Sequence, residues 1–234
     1  MRAEGGRAAD AVVQALAARI ASGDLAAGAP LPPERDLIGA FGVSRTVVRE
    51  AVARLASRGL VESRPRFRPV VRRAGPEAAF AAAGDVVASL LREEGGVRNL
   101  YEMRVMLEAA LVRHAALHAR KGDLQALDAA LGANEAAVED APRFYATDVA
   151  FHAVLYRVPA NPILPALHGA ITGWLGAPWA AMPRSPERNR LNARRHRDIR
   201  DAVRERDPDA AEAALRAHLQ AAWEWVRPTL EGTG

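Results

Sequence analysis

Apolar residues recur at helical spacing across residues 8–21, at Val12, Val13, Leu16 and Ile20, so the chain opens on an amphipathic helix. Gly23 and Gly28 interrupt it. A second helix is expected over 33–41, with Pro32 and Pro33 at its start, where a missing N–H costs no hydrogen bond, and Gly42 past its end. Ser44 is placed to cap a third helix that runs to Ser57 and closes at Gly59. Two short β-rich pieces follow, at 60–63 and 67–71, with Arg64-Pro65-Arg66 at the turn between them.

Helix, helix, short turn, helix, hairpin is the element order of a winged helix-turn-helix, assigned to residues 1–73. Periodicity stops at Arg72, and Gly75-Pro76 punctuates the chain, which makes 74–76 a linker. From there the pattern is helical, with helices expected near 77–93, 97–120, 123–139, 142–157, 162–179, 187–206 and 208–227. The last start is well marked, by Asp207 as N-cap, Pro208 at the first helical position and Asp209 in the first turn. Residues 77–234 therefore read as an all-α antiparallel helical bundle, and the whole chain as mostly α.

Composition narrows the function. The chain has 234 residues, half of them apolar, and no cysteine, which removes disulfides, thiolate metal sites and cysteine nucleophiles and fits a reducing cytoplasm. The N-terminus lacks the apolar core of a secretory signal, and no run of about 18 apolar residues offers a membrane span. Charge is unevenly spread. Residues 1–75 hold 13 Arg against 7 Asp and Glu, a net of +6, whereas the remainder of the chain nets −2. A polyanion is the natural partner of that first third, because each phosphate contact releases condensed counterions.

The third helix carries this charge on one face. With Arg45 as origin at about 100° per residue, Arg49 lies near 40° and Thr46 near 100°, while Val47, Val48, Ala51, Val52 and Leu55 fill the opposite arc. Such a helix packs on one side and offers Arg-Thr-Arg to a major groove on the other. The run GAPLPPERDLIGAFGVSRTVVREAVARLASRGLVESRPRF resembles the winged helix of the GntR family, through LP-x-ER-x-L, GVSR-x-x-VREA and LxxxGLVE. The resemblance implies operator DNA as partner, with contacts from Arg35, Ser44, Arg45, Thr46 and Arg49: Arg35 toward phosphate, Arg45 and Arg49 toward bases. Arg64, Arg66 and Arg68 make the wing basic. Arg68 stands where relatives often place glycine, and Pro69 follows it, so the wing tip departs from the family pattern.

In the second half, Asp148 and His152 lie four residues apart and share a helix face. His196 falls on a stripe with Ile199 and Val203, and His218 on one with Ala214, Leu215 and Ala222. Buried imidazoles and carboxylates need partners, and a divalent ion of the zinc, nickel or manganese kind would serve all four. Spacing alone leaves the choice open, because His114 and His118 are also four apart and His168 sits among Leu164 and Ile171.

LYEMRVMLEAALVRHAA, DVAFH, VPANP, HRDIRDAV and DPDAAEAALRAHL are similar to the FCD effector domain of FadR-like GntR regulators, over most of residues 98–222. The resemblance implies a metal on Asp148, His152, His196 and His218, zinc first, and Arg104 reaching toward an effector's carboxylate, against the alternative of a simple pair with Glu108. Asn161 of VPANP and Trp174 are counted among the effector contacts, with Trp179 as a further pocket wall. GGVRNLYEMR, TDVAFH and VPANPILPALHGAITGWL are most similar to sialic-acid-responsive members of this branch. The expected function is a homodimeric repressor released from operator DNA by a small carboxylate or sugar acid. A metal-dependent enzyme is the rival, although no general base or nucleophile motif accompanies the ligands. An effector-independent DNA-architectural protein is a third reading.

Overall fold

The computed structural model describes residues 2–63, 67–72, 75–176, 179 and 185–231, with the backbone alone for 2–6 and 229–231. Arg64 and Arg66 of the expected wing lie outside the described residues. Contacts divide the chain into two compact units, Met1–Asp85 and Val86–Gly234.

The first unit holds α1 (Arg2–Ser22), α2 (Glu34–Phe41) and α3 (Arg45–Ser57), then β1 (Val61–Glu62), β2 (Val70–Val71) and α4 (Pro76–Ala82). Ser44 caps α3, its Oγ accepting from the Val47 N–H at 3.4 Å. The strands pair antiparallel in the register Val61 with Val71 and Glu62 with Val70, and Pro30 bridges to Val70 on the other side. One core joins these pieces: Val12, Val13 and Leu16 from α1, Leu37 from α2, Val48, Ala51 and Leu55 from α3, and Val61 and Val71 from the hairpin. Arg54 links α1 to α3 by pairing with both Asp10 and Glu50.

The helix expected near 77–93 is two pieces, α4 and α5 (Gly84–Leu90), with Ala83 as the C-cap between them. Gly84 weakens helix continuity at that point. The preceding helix lies against Gly59, where an added Cβ would stand 2.7 Å from Ala78 Cβ while φ is already +68°; only glycine suits both demands. The division between the units accordingly falls after α4, beyond the linker expected at 74–76.

The described regular elements of the second unit are all helices: the remainder of α5, then α6 (Gly96–His118), α7 (Lys121–Glu135), α8 (Ala141–Arg157), α9 (Ile163–Trp174), α10 (Pro186–Arg204) and α11 (Pro208–Glu231). Its core runs through Val112, Ala116, Phe151, Leu155, Ile171, Ile199, Leu215 and Leu219. Asp207 starts α11 as expected, its Oδ1 accepting from the Asp209 and Ala210 N–H groups. Among the described residues no helix is long and apolar enough to cross a membrane. Replacing fully buried Leu16 with alanine removes the contact that seats α1. It is expected to lower unfolding free energy by about 2–5 kcal/mol in denaturant titrations while leaving metal stoichiometry unchanged, because every candidate ligand lies in the other unit.

Candidate metal centre and its cavity

Asp148 and His152 project from one face of α8, His196 from α10 and His218 from α11. One ligand atom from each of the four lies within 4.8 Å of the others. His218 Nε2 stands 3.2 Å from His152 Nε2 and 3.2 Å from His196 Nε2, and Asp148 Oδ1 is 3.4 Å from His196 Nε2. The three histidines are buried, and Asp148 is 19% exposed.

The surrounding residues decide what these nitrogens can do. Asn134, on α7, donates through Nδ2 to Phe144 O and Thr147 Oγ1. This turns its Oδ1 toward His196 Nδ1, 2.9 Å away, so Nδ1 carries the proton. Glu108, on α6, accepts from Arg104 Nε at 2.7 Å and from the Tyr156 hydroxyl at 3.2 Å, and its Oε2 lies 2.6 Å from His152 Nδ1. Burial would raise the Glu108 carboxyl, but Arg104 and His152 outweigh it and hold the group ionised, well below the usual carboxylate range. A proton on His152 Nδ1 would face this carboxylate, and the Nε2 atoms of His152 and His196 both point inward to His218.

His218 can give a proton to only one of those Nε2 atoms, and its own Nδ1 has no partner. A divalent cation at the convergence of these nitrogens would satisfy both lone pairs at once. Nitrogens about 2.0–2.1 Å from an ion stand about 2.8–3.0 Å apart at octahedral angles and about 3.3–3.4 Å apart at tetrahedral ones, which brackets the observed 3.2 Å. Burial pushes His196 and His218 well below the ordinary imidazole value, keeping them in the neutral form that ligates metal. Burial also raises the Asp148 carboxyl, against the pull of His152 and Arg104. The donor set fits a divalent ion.

The structure thus separates the six histidines. His114 and His118 pair with each other, ring centroids 4.4 Å apart, away from this cluster. His168 is buried against Tyr156 and lowered to about 4, chiefly by burial.

Beside the cluster lies a cavity of about 130 Å³, walled in part by Arg104, Asp148, Trp179, Arg188, Asn189, Asn192 and His218. Arg104 both pairs with Glu108 and lines this space. Asn161 is exposed, its Oδ1 accepting from the Ile163 N–H at the start of α9. Trp174 packs against the bundle core and is not among the cavity-lining residues, whereas Trp179 is. Sequence reading passed over Asn134, Tyr156, Asn189 and Asn192. A signal existed for two of them: Asn189, Asn192, His196, Ile199 and Val203 form one buried stripe of α10, and polar residues inside such a stripe mark a site.

On the first unit, Arg45, Thr46 and Arg49 are exposed on α3 while Val48, Ala51 and Leu55 are buried. The Arg35 side chain is 95% exposed and the Arg45 side chain 75%, with Asp36 and Glu34 as respective pair partners. Arg68 turns back into its own unit, donating to the Leu31 carbonyl.

Residues 8–71 match the family described as bacterial regulatory proteins, gntR family, and residues 99–221 match the FCD domain. The chain belongs to the GntR family. Its effector half is an FCD domain, which makes the protein a ligand-responsive DNA-binding regulator rather than an enzyme. It is 37% identical over 206 residues to the HTH-type transcriptional repressor NanR of Cronobacter sakazakii, covering 86% of this chain and 79% of that protein. To the protein of the same name from Salmonella schwarzengrund it is 38% identical, covering 82% and 74%. Among solved structures, Streptococcus agalactiae GntR superposes with a TM-score of 0.66 at 25% identity, over 92% of this chain and 98% of that one. Escherichia coli McbR/YncC shares the fold, at a TM-score of 0.53 and 19% identity, over 94% and 98%.

Changing Asn134 to leucine removes the acceptor that fixes His196. Metal affinity is expected to fall about 10–100-fold in competition with a chromophoric chelator.

Proposed function

We propose that this GntR protein is a homodimeric repressor that leaves its operator when a small carboxylate or sugar acid, sialic acid first, binds beside a zinc ion held by Asp148, His152, His196 and His218. The observation that carries this is the cavity itself, because Asp148 and His218 stand in its wall together with Arg104. When bound, the ion offers open coordination positions to ligand oxygens. Arg104, fixed by Glu108, presents its remaining N–H groups to the effector's acid group. The Asn189 and Asn192 carboxamides suit the hydroxyls and amide of an acidic sugar. Two relatives named NanR repressors at 37–38% identity favour the same class.

DNA is gripped by α3. Arg45 and Arg49 approach guanine edges, Arg35 approaches phosphate, and Thr46 and the α3 N-terminus at Ser44 lie along the same face. A pair of such units suits a roughly palindromic operator. The wing residues Arg64, Arg66 and Arg68 are assigned to the flanking groove, and the regulator to the cytoplasm, where its operator is. Control requires that effector-bound and effector-free forms differ in affinity for DNA. The effector touches α6, α8, α10 and α11, and a change in their packing is what the first unit would register.

The test is fluorescence anisotropy on an operator selected by the protein from a random DNA pool. N-acetylneuraminic acid is expected to weaken operator binding at least tenfold. Stripping the metal with a chelator is expected to abolish that response, and Arg49→Ala to cost about 1–3 kcal/mol of operator affinity. An operator affinity that no sugar acid or small carboxylate changes sinks the proposal.

A further inference from the structure

Arginines of the helical bundle commonly meet carboxylates: Arg98 meets Glu102, Arg113 meets Asp209, Arg190 meets Glu139 and Arg200 meets Asp128. Arg104, in the cavity wall, is committed at Nε to Glu108. Arg188 is different. It sits in the first turn of α10, where its backbone N–H is capped by Ser185, and its side chain lines the same cavity. Among the described residues it has no ion-pair partner. Its guanidinium carbon lies 5.1 Å from the centre of the Trp225 ring on α11. Residues 177–184, which precede this turn, contain no Asp or Glu.

A half-buried guanidinium remains charged, so it needs a counter-charge or a π face. The π face of Trp225 is the weaker of the two, and Trp225 is itself 40% exposed. Burial pushes the Arg188 guanidinium down from its ordinary value, with Asp148 and Tyr101 opposing from across the cavity. An anion entering the cavity thus meets one guanidinium already partly neutralised and one that is not.

We propose that Arg188 is the specificity-determining residue of the cavity, a planar fork that pairs with the effector's carboxylate and so selects acids over their neutral derivatives. This rests on the effector reading given above and refines it. Arg104 is held in place whether or not effector is present. Arg188, at the start of α10, is free to exchange Trp225 for a carboxylate, and that exchange alters a contact between α10 and α11, the helices that carry His196 and His218. Bidentate pairing explains why arginine rather than lysine stands here.

The test is calorimetric titration of the metal-loaded full chain with N-acetylneuraminic acid, glucuronate, citrate and lactate, followed by the tightest binder as its carboxamide. Wild type is expected to prefer the acid at least tenfold. In R188Q, at matched metal content, acid affinity is expected to fall at least tenfold and the acid-to-amide ratio to shrink at least threefold, a coupling that a purely structural role would not produce. R188K keeps the charge without the fork and is expected to show an intermediate ratio; it serves as the deciding variant should R188Q fail to fold. An unchanged ratio in these variants leaves the effector reading standing and overturns the role of Arg188 alone. If no acid binds wild type, both fall.

Discussion

The bundle is organised around an unbalanced hydrogen-bond count. Asn134 accepts from the outer nitrogen of His196 and the Glu108 carboxylate lies against the outer nitrogen of His152, while the inner nitrogens of both rings face His218, whose single N–H could serve only one of them. Leaving a buried acceptor unpaired costs about 1–3 kcal/mol, and three polar rings together would make a poor core. A divalent ion held by Asp148, His152, His196 and His218 would turn this liability into ligand bonds. Because the cluster draws on α6 and α7 as well as on α8, α10 and α11, an ion there would tie five helices to one point.

That arrangement explains why a small molecule beside the centre can matter to the whole unit. The cavity draws its wall from the same helices that hold the ligands. A ligand that engages Asp148's neighbourhood and the α10 turn acts on helices already coupled through the centre. Such coupling needs two packings that differ in ligand affinity, not a large displacement. Tight packing around Phe151, Leu155, Ile199 and Leu215 favours discrete alternatives over gradual deformation.

Much of this was legible in the sequence. The a/d-like stripe on α10 and the Asp-x-x-x-His spacing on α8 identified faces, and the dense GntR pattern identified the first unit. What periodicity does not supply is which faces meet. Six histidines were equivalent candidates by spacing, and only packing separates the pair at His114 and His118 from the convergent three. Asn134 illustrates the limit. It continues the stripe of Leu127 and Leu131 on α7, so its burial was readable, but its role depends on Thr147 and Phe144 turning its carboxamide, which is a tertiary fact. The break at Ala83 was missed for a related reason: an alanine-rich run reads as one helix, whereas the approach of Ala78 to Gly59 assigns its first part to the other unit.

Each unit uses arginine in two opposite ways. On α3 the guanidinium of Arg45 is exposed, and its partner Glu34 at 3.3 Å is exposed too, so exchanging that carboxylate for a phosphate or a base edge costs little. Arg68 illustrates the reverse case, since its guanidinium serves the Leu31 carbonyl and joins the wing to the loop before α2, so its hydrogen bonds belong to the fold. Arg104 does for the metal centre what Arg68 does for the wing, holding Glu108 and hence His152 in place. Arg188 is the counterpart of Arg45, a guanidinium whose strongest bonds are still to be made. Reading arginines by what already occupies them, rather than by their number, separates the residues that build each site from those left to meet its ligand.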